Sequence, residues 1–195
     1  ESIEEAQPFY VNAPYGIVLI HNGNLTNTRE LEKQLFSVDR RHTNSSSDTE
    51  MLLNIFATEL QEQINNKKDL DPEFIFKAVS SLHKRIQGSY AAISLISGHG
   101  LLAFRDPFGI RPLVIGKRNS IENKNEWMVA SESLVLENND YEIVRDVKPG
   151  EAVYISNNGE FFSKQCSDSP KLFPCAFEYV YLARPDSIMN GISVY

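Results

Sequence analysis

Long apolar runs are missing from this sequence. The longest reach only about five residues, against the roughly 20 that a membrane-crossing helix needs, and no signal-peptide pattern opens the chain. Cysteine is scarce: Cys166 and Cys175 are the only two, without Cys-x-x-Cys spacing or adjacent histidines, which argues against a disulfide framework or a zinc site. The four histidines, His21, His42, His83 and His99, are scattered and offer no metal-ligating spacing. Basic clusters are equally few. Arg40-Arg41 and Lys117-Arg118 are short, the formal charge is −7, and nucleic acid is therefore not an expected partner. With 42% hydrophobic and 23% charged residues, disorder and repeat architectures are also excluded. The 195 residues suffice for about one domain that buries roughly 70% of its unfolded surface.

What is present divides into a helical middle with β-rich flanks. Gly16 to His21 is a short apolar run that suits a buried strand. Thr26 or Asn27 is placed to cap a helix running to about Ser37, with Glu30 as the acidic member of a capping box. Ser47-Asp48-Thr49-Glu50 has the same spacing. The apolar face of Met51, Leu53, Phe56 and Leu60 then predicts a second helix over about 48–65. Asp71 and Pro72 open a third, with a stripe of Ile75, Ala78, Val79, Leu82 and Ile86, stopped by Gln87-Gly88. From Ser89 the period changes to two. Strands are predicted at Tyr90 to Ile96, Leu101 to Arg105, Pro112 to Gly116, Glu126 to Ala130, near Ile143, and at Glu151 to Ile155 and Glu160 to Ser163. Hairpin connections imply antiparallel sheet, and helices grouped apart from strands imply an α+β fold.

The richest stretch is His21-Asn22-Gly23-Asn24-Leu25-Thr26-Asn27. An Asn side-chain amide followed by a Gly backbone N–H can converge on one oxygen and hold an oxyanion. Asn-Gly after an apolar strand is also a strong hairpin signal, so a plain turn competes with that reading. The helical pattern from Leu25 to Phe36 favours a strand-to-helix turn.

Five blocks together, 5–17, 21–27, 45–60, 104–113 and 177–187, resemble the glutamine amidotransferase domain of amidophosphoribosyltransferases, whose members open de novo purine synthesis. The pieces Val129 to Ser133 and Pro149 to Ala152 fall in order between them. The resemblance implies an N-terminal-nucleophile-hydrolase-type four-layer αββα sandwich, here missing its first strands. Residues 1–176 would form a partial amidotransferase domain, and 177–195 would begin the linker or phosphoribosyltransferase domain. It implies Asn22 and Gly23 as the oxyanion hole and Asp48 as the ligand of the glutamine α-amino group. It also implies a cytoplasmic, homo-oligomeric enzyme that passes ammonia from glutamine to phosphoribosyl pyrophosphate, with magnesium in the missing domain. Family members begin with a nucleophilic cysteine, and an upstream Arg-Tyr-Pro-Thr element grips the glutamine carboxylate. This sequence begins Glu1-Ser2-Ile3, so the fragment alone is expected to be inactive. Some members ligate an iron–sulfur cluster near the position of Cys175; a cluster is not expected here, because its other ligands would lie in the missing domain.

Other features have simpler readings. Arg105-Asp106-Pro107-Phe108-Gly109-Ile110-Arg111-Pro112 reads as a type I turn whose arginines form local salt bridges. Glu132 reads as a helix cap and His21 as a hydrogen-bonded core residue. Phe177 to Ser187 alternates like an edge strand, and the resemblance suggests that Tyr179 and Arg184 help couple two sites. The competing functions are another amidotransferase, of the glucosamine-6-phosphate synthase or asparagine synthetase type, and a non-catalytic glutamine-binding module.

Overall fold

The computed structural model describes residues 5–64, 70–119 and 125–194. Its centre is a six-stranded antiparallel sheet in the order β1-β2-β3-β4-β8-β9, with β1 at Phe9–Val11, β2 at Ile17–Leu25, β3 at Gly88–Ile96, β4 at Gly100–Arg105, β8 at Glu151–Ser156 and β9 at Phe161–Gln165. A three-stranded sheet, β6-β5-β7, combines Asn125–Ala130, Val114–Asn119 and Glu142–Asp146.

The period-two pattern decides which layer each residue joins. On one face of the large sheet Leu19, Tyr90, Leu102, Phe104 and Tyr154 pack against α2 (Asp48–Ile64) and α3 (Pro72–Arg85), where Leu52, Phe56, Leu60, Val79 and Leu82 are buried. On the other face the small residues Ala91 and Ala103, with Val153, let the second sheet approach through Leu113, Ile115 and Val147. Behind that sheet, Val114 and Ala130 meet Leu136 of the short helix α4 (Ser133–Glu137). The layers are thus helix, sheet, sheet, helix, as expected, and the fourth is a five-residue helix.

Several local expectations are revised. The strand does not end at His21. β2 continues through Asn22, Gly23 and Asn24 to Leu25, which pair with Ala91, Tyr90, Ser89 and Gly88, so the turn into α1 (Thr28–Gln34) moves to Thr26-Asn27. Neither capping box forms. The Asn27 side chain makes no cap; it donates to the Arg85 carbonyl and accepts from the Gln87 N–H, tying α1 to the end of α3. Glu50 reaches back past Ser47 and takes hydrogen bonds from the backbone and side chains of Asn44 and Ser45. Asp71 does cap α3, accepting from the Glu73 N–H at 2.8 Å. β5 starts at Val114 and pairs with β6 from Ala130 to Asn125; residues 120–124 between them lie outside the described set. The 177–187 segment is not a strand. Glu178–Leu182 forms a π-helical turn, followed by a two-residue hairpin of β10 (Ile188–Met189) and β11 (Ile192–Ser193). Alternation over so few residues fits a helical turn as well as a strand.

Candidate active site

The end of β2 meets the start of α2 around a cleft of about 600 Å3, bounded by Gly23, Asn24, Leu25, Ser47, Asp48 and Glu5. Asp48 is the first residue of α2, where a helix N-terminus favours a negative side chain. Its Oδ2 accepts the Leu25 N–H at 2.9 Å, and its side chain stays 24% exposed. One carboxylate oxygen is therefore anchored while the group still faces the cleft. A carboxylate so held suits a ligand ammonium.

Gly23 lies on the same cleft with φ at +150°. A Cβ there would stand 2.0 Å from the Ser89 carbonyl oxygen and 2.7 Å from His21 Nε2, so the strand can pass only as glycine. Asn22 does not line the cleft. Alternation along β2 turns its side chain to the face opposite His21, where Oδ1 accepts from Arg111 Nη2 at 2.5 Å. A guanidinium only donates, so the amide atom facing Arg111 must be oxygen and Nδ2 points away. Nδ2 makes no hydrogen bond to another described residue.

His21 is a core residue, only 8% exposed. Its Nδ1 lies 3.2 Å from Thr49 Oγ1 and its Nε2 3.5 Å from the Ser89 carbonyl. Burial depresses its pKa, Arg111 adds to that, and Asp48, 3.8 Å away, opposes it. The neutral ring donates from Nε2 to Ser89 and accepts at Nδ1 from Thr49, so it holds β2, β3 and α2 together.

The Arg105 to Pro112 segment contains the expected turn, with the Gly109 N–H on the Asp106 carbonyl at 3.0 Å. Its arginines depart from expectation. Arg105 is 1% exposed and forms no ion pair among the described residues; it donates to the carbonyls of Gly109, Arg111 and Val147 and to Asn190 Oδ1. Burial lowers its pKa, while Asp106, Asp146 and Tyr179 oppose that shift. The buried Asp106 carboxylate accepts from the N–H groups of Phe108, Ile110, Arg111 and Tyr90, which fixes the turn. Burial nonetheless raises its pKa, against those four donors.

Arg111 pairs with a distant residue: Nη1 lies 2.8 Å from Glu178 Oε1. Among the described residues that oxygen has no aligned hydrogen bond, so the contact is an ion pair. Burial raises the Glu178 pKa, Arg111 opposes it, and Glu132 adds to it. Sequence reasoning missed this link. The only signal was that the segment contains two arginines but a single carboxylate.

Glu132 is not a side-chain cap of α4. Its Oε2 accepts from the Arg184 N–H at 2.9 Å and from Ser187 Oγ at 2.8 Å, which pins the C-terminal segment. The Tyr179 hydroxyl accepts from Asn190 Nδ2 at 3.0 Å in the same region. Both cysteines are free, and burial pushes the Cys166 thiol up to about 11. Among the described residues no group of three or more His, Cys, Asp or Glu could hold a metal, and no helix is long and apolar enough to cross a membrane.

A family model described as "Glutamine amidotransferase domain" matches residues 1–138. The chain is 56% identical over 194 residues to the amidophosphoribosyltransferases of Pasteurella multocida and of Escherichia coli, a match that covers 100% of this chain and 38% of each relative. Among solved structures, the glutamine phosphoribosylpyrophosphate amidotransferase of B. subtilis, complexed with ADP and GMP, superposes with a TM-score of 0.79 at 28% identity, over 99% of this chain and 39% of that one. The chain thus spans well under half the length of those relatives. It belongs to the glutamine amidotransferase domain family.

Proposed function

We propose that this chain is the glutamine-hydrolysing part of an amidophosphoribosyltransferase. The observation that carries the reading is the cleft that Asp48 and Gly23 share at the end of β2, in a chain similar over its whole length to such enzymes. The ammonium of glutamine binds the exposed side of Asp48, a charge-assisted contact worth roughly 1.5–3 kcal/mol. A thiolate attacks the side-chain amide carbon, and the developing oxyanion takes hydrogen bonds from Asn22 Nδ2 and the Gly23 N–H. Such a donor contributes about 3–4 kcal/mol to transition-state stabilisation. Ammonia leaves, water then releases glutamate, and the thiol is restored.

Neither cysteine of this sequence suits the attack. Cys166 is buried with a pKa of about 11, and neither Cys166 nor Cys175 borders the cleft. The nucleophile is assigned to a cysteine of the complete protein outside residues 1–195, as are the phosphoribosyl pyrophosphate site and its magnesium. Residues 177–195 are assigned as the start of the connection to that part. The released ammonia displaces pyrophosphate from phosphoribosyl pyrophosphate to give phosphoribosylamine.

The test is glutamine hydrolysis by the complete protein with and without phosphoribosyl pyrophosphate. Stimulation by that substrate supports the assignment. Hydrolysis indifferent to it points to another amidotransferase, and absence of hydrolysis to a glutamine-binding module.

A further inference from the structure

An oxyanion-binding asparagine has an orientation problem. Turning its amide by half a revolution replaces the donor with an acceptor, and the site then repels the charge it should stabilise. The surroundings of Asn22 solve this. Resting on the assignment of Asn22 as an oxyanion donor, we infer that Arg111 is a positioning residue that holds the Asn22 amide with Nδ2 towards the reacting amide, and that Glu178 holds Arg111 in turn.

The contacts form a chain from backbone to amide. The Arg111 N–H donates to Asp106 Oδ2 at 3.3 Å and its carbonyl accepts from Arg105 Nε at 2.6 Å, so the Arg111 backbone is fixed on both sides by buried charged groups. Its guanidinium is bound at both ends, to Glu178 through Nη1 and to Asn22 through Nη2. Nε is buried and makes no hydrogen bond to another described residue, so these two contacts set the plane of the group. Glu178 is itself 5% exposed at the start of the π-helical turn. Because every guanidinium nitrogen is a donor, only Oδ1 of Asn22 can face it. The flipped amide would set an NH2 group against a cation.

The charge also reaches the site: burial is the main cause that depresses the His21 pKa, and Arg111 adds to it. Keeping His21 neutral preserves its acceptor at Nδ1 for Thr49.

The experiment measures glutamine hydrolysis by the complete protein with Arg111→Met, Arg111→Lys, Glu178→Gln, Asn22→Ala and the double variant Asn22→Ala/Arg111→Met. Arg111→Met should lower kcat about 10- to 100-fold, less than the roughly 100- to 1,000-fold loss of the donor itself, with KM for glutamine within about twofold. Arg111→Lys, which keeps a charged donor, should recover part of kcat, and Glu178→Gln should lower it several-fold. The double variant should be no slower than Asn22→Ala alone, because the positioning residue has nothing left to position. Unchanged kcat in Arg111→Met, an effect confined to KM, or losses that multiply in the double variant would overturn the inference. If Arg111→Met does not fold, Glu178→Gln decides: kcat unchanged overturns it. Turnover unaffected by Asn22→Ala is a different failure, that of the oxyanion assignment.

Discussion

The Asp48 carboxylate accepts the backbone N–H of Leu25 at 2.9 Å, so the first residue of α2 is bonded to the last residue of β2. This contact gives the cleft a defined width, because the strand carrying Gly23 and the helix carrying the carboxylate cannot separate without breaking it. Burial of Leu25 in the helical-side core reinforces the joint.

Gly23→Ala should destabilise the fold by more than the cost of a positive φ alone. Its Cβ would fall 2.0 Å from the Ser89 carbonyl oxygen, whereas a Cβ at Gly98, with φ of +78°, meets nothing within 4 Å. Gly98→Ala is the matched control and should cost about 1–2 kcal/mol. Equal losses for the two variants in chemical denaturation would contradict the close approach of β3 to Gly23.

Glu50→Ala removes the acceptor for four donors in Asn44 and Ser45, a few residues before Asp48. Hydrogen bonds to a charged group contribute about 1.5–3 kcal/mol each at most, and exposed donors regain water, so a net loss of roughly 2 kcal/mol is expected. Glutamine KM should rise as well, since Ser46 and Ser47, which follow those donors, line the cleft. An unchanged KM would separate Glu50 from the site.

Acid stability should report His83. Burial lowers its pKa from 6.5 to about 4, opposed by the Gly150 carbonyl. A depressed folded-state pKa means that the unfolded chain binds the proton first. The contribution is present above pH 6.5 and is lost as pH falls towards about 4, by up to about 3 kcal/mol. His83→Gln should flatten that part of the stability profile, and an identical slope would contradict the assignment.

How much of this was legible in the sequence depends on whether the cue was local. Asp71-Pro72 announced α3, and the period of two announced the strand at Leu101 to Arg105, because capping and alternation need only neighbouring residues. The sequence marks Asn22 with Gly23 and, separately, Asp48; Gly23 and Asp48 border the cleft and Asn22 does not. The extension of β2 past His21 was not legible, since it depends on the partner strand beginning at Gly88. The contacts of Glu50, Glu132 and Arg111 were misjudged for the same reason: each carries a local signature but finds a partner set by tertiary packing. The segment 177–187 was misread in the same way: it alternates like an edge strand, yet Glu178 commits its charge to Arg111 and its backbone to a helical turn.

The most direct test compares glutamine-dependent and ammonia-dependent phosphoribosylamine formation by the complete protein, native and Asp48→Asn. Asn keeps the oxygen that Leu25 needs but removes the charge offered to the glutamine ammonium. Glutamine KM should rise roughly 10- to 100-fold with the ammonia-dependent rate unchanged. Equal loss of both activities, or a glutamine KM left where it was, would contradict the assignment of Asp48.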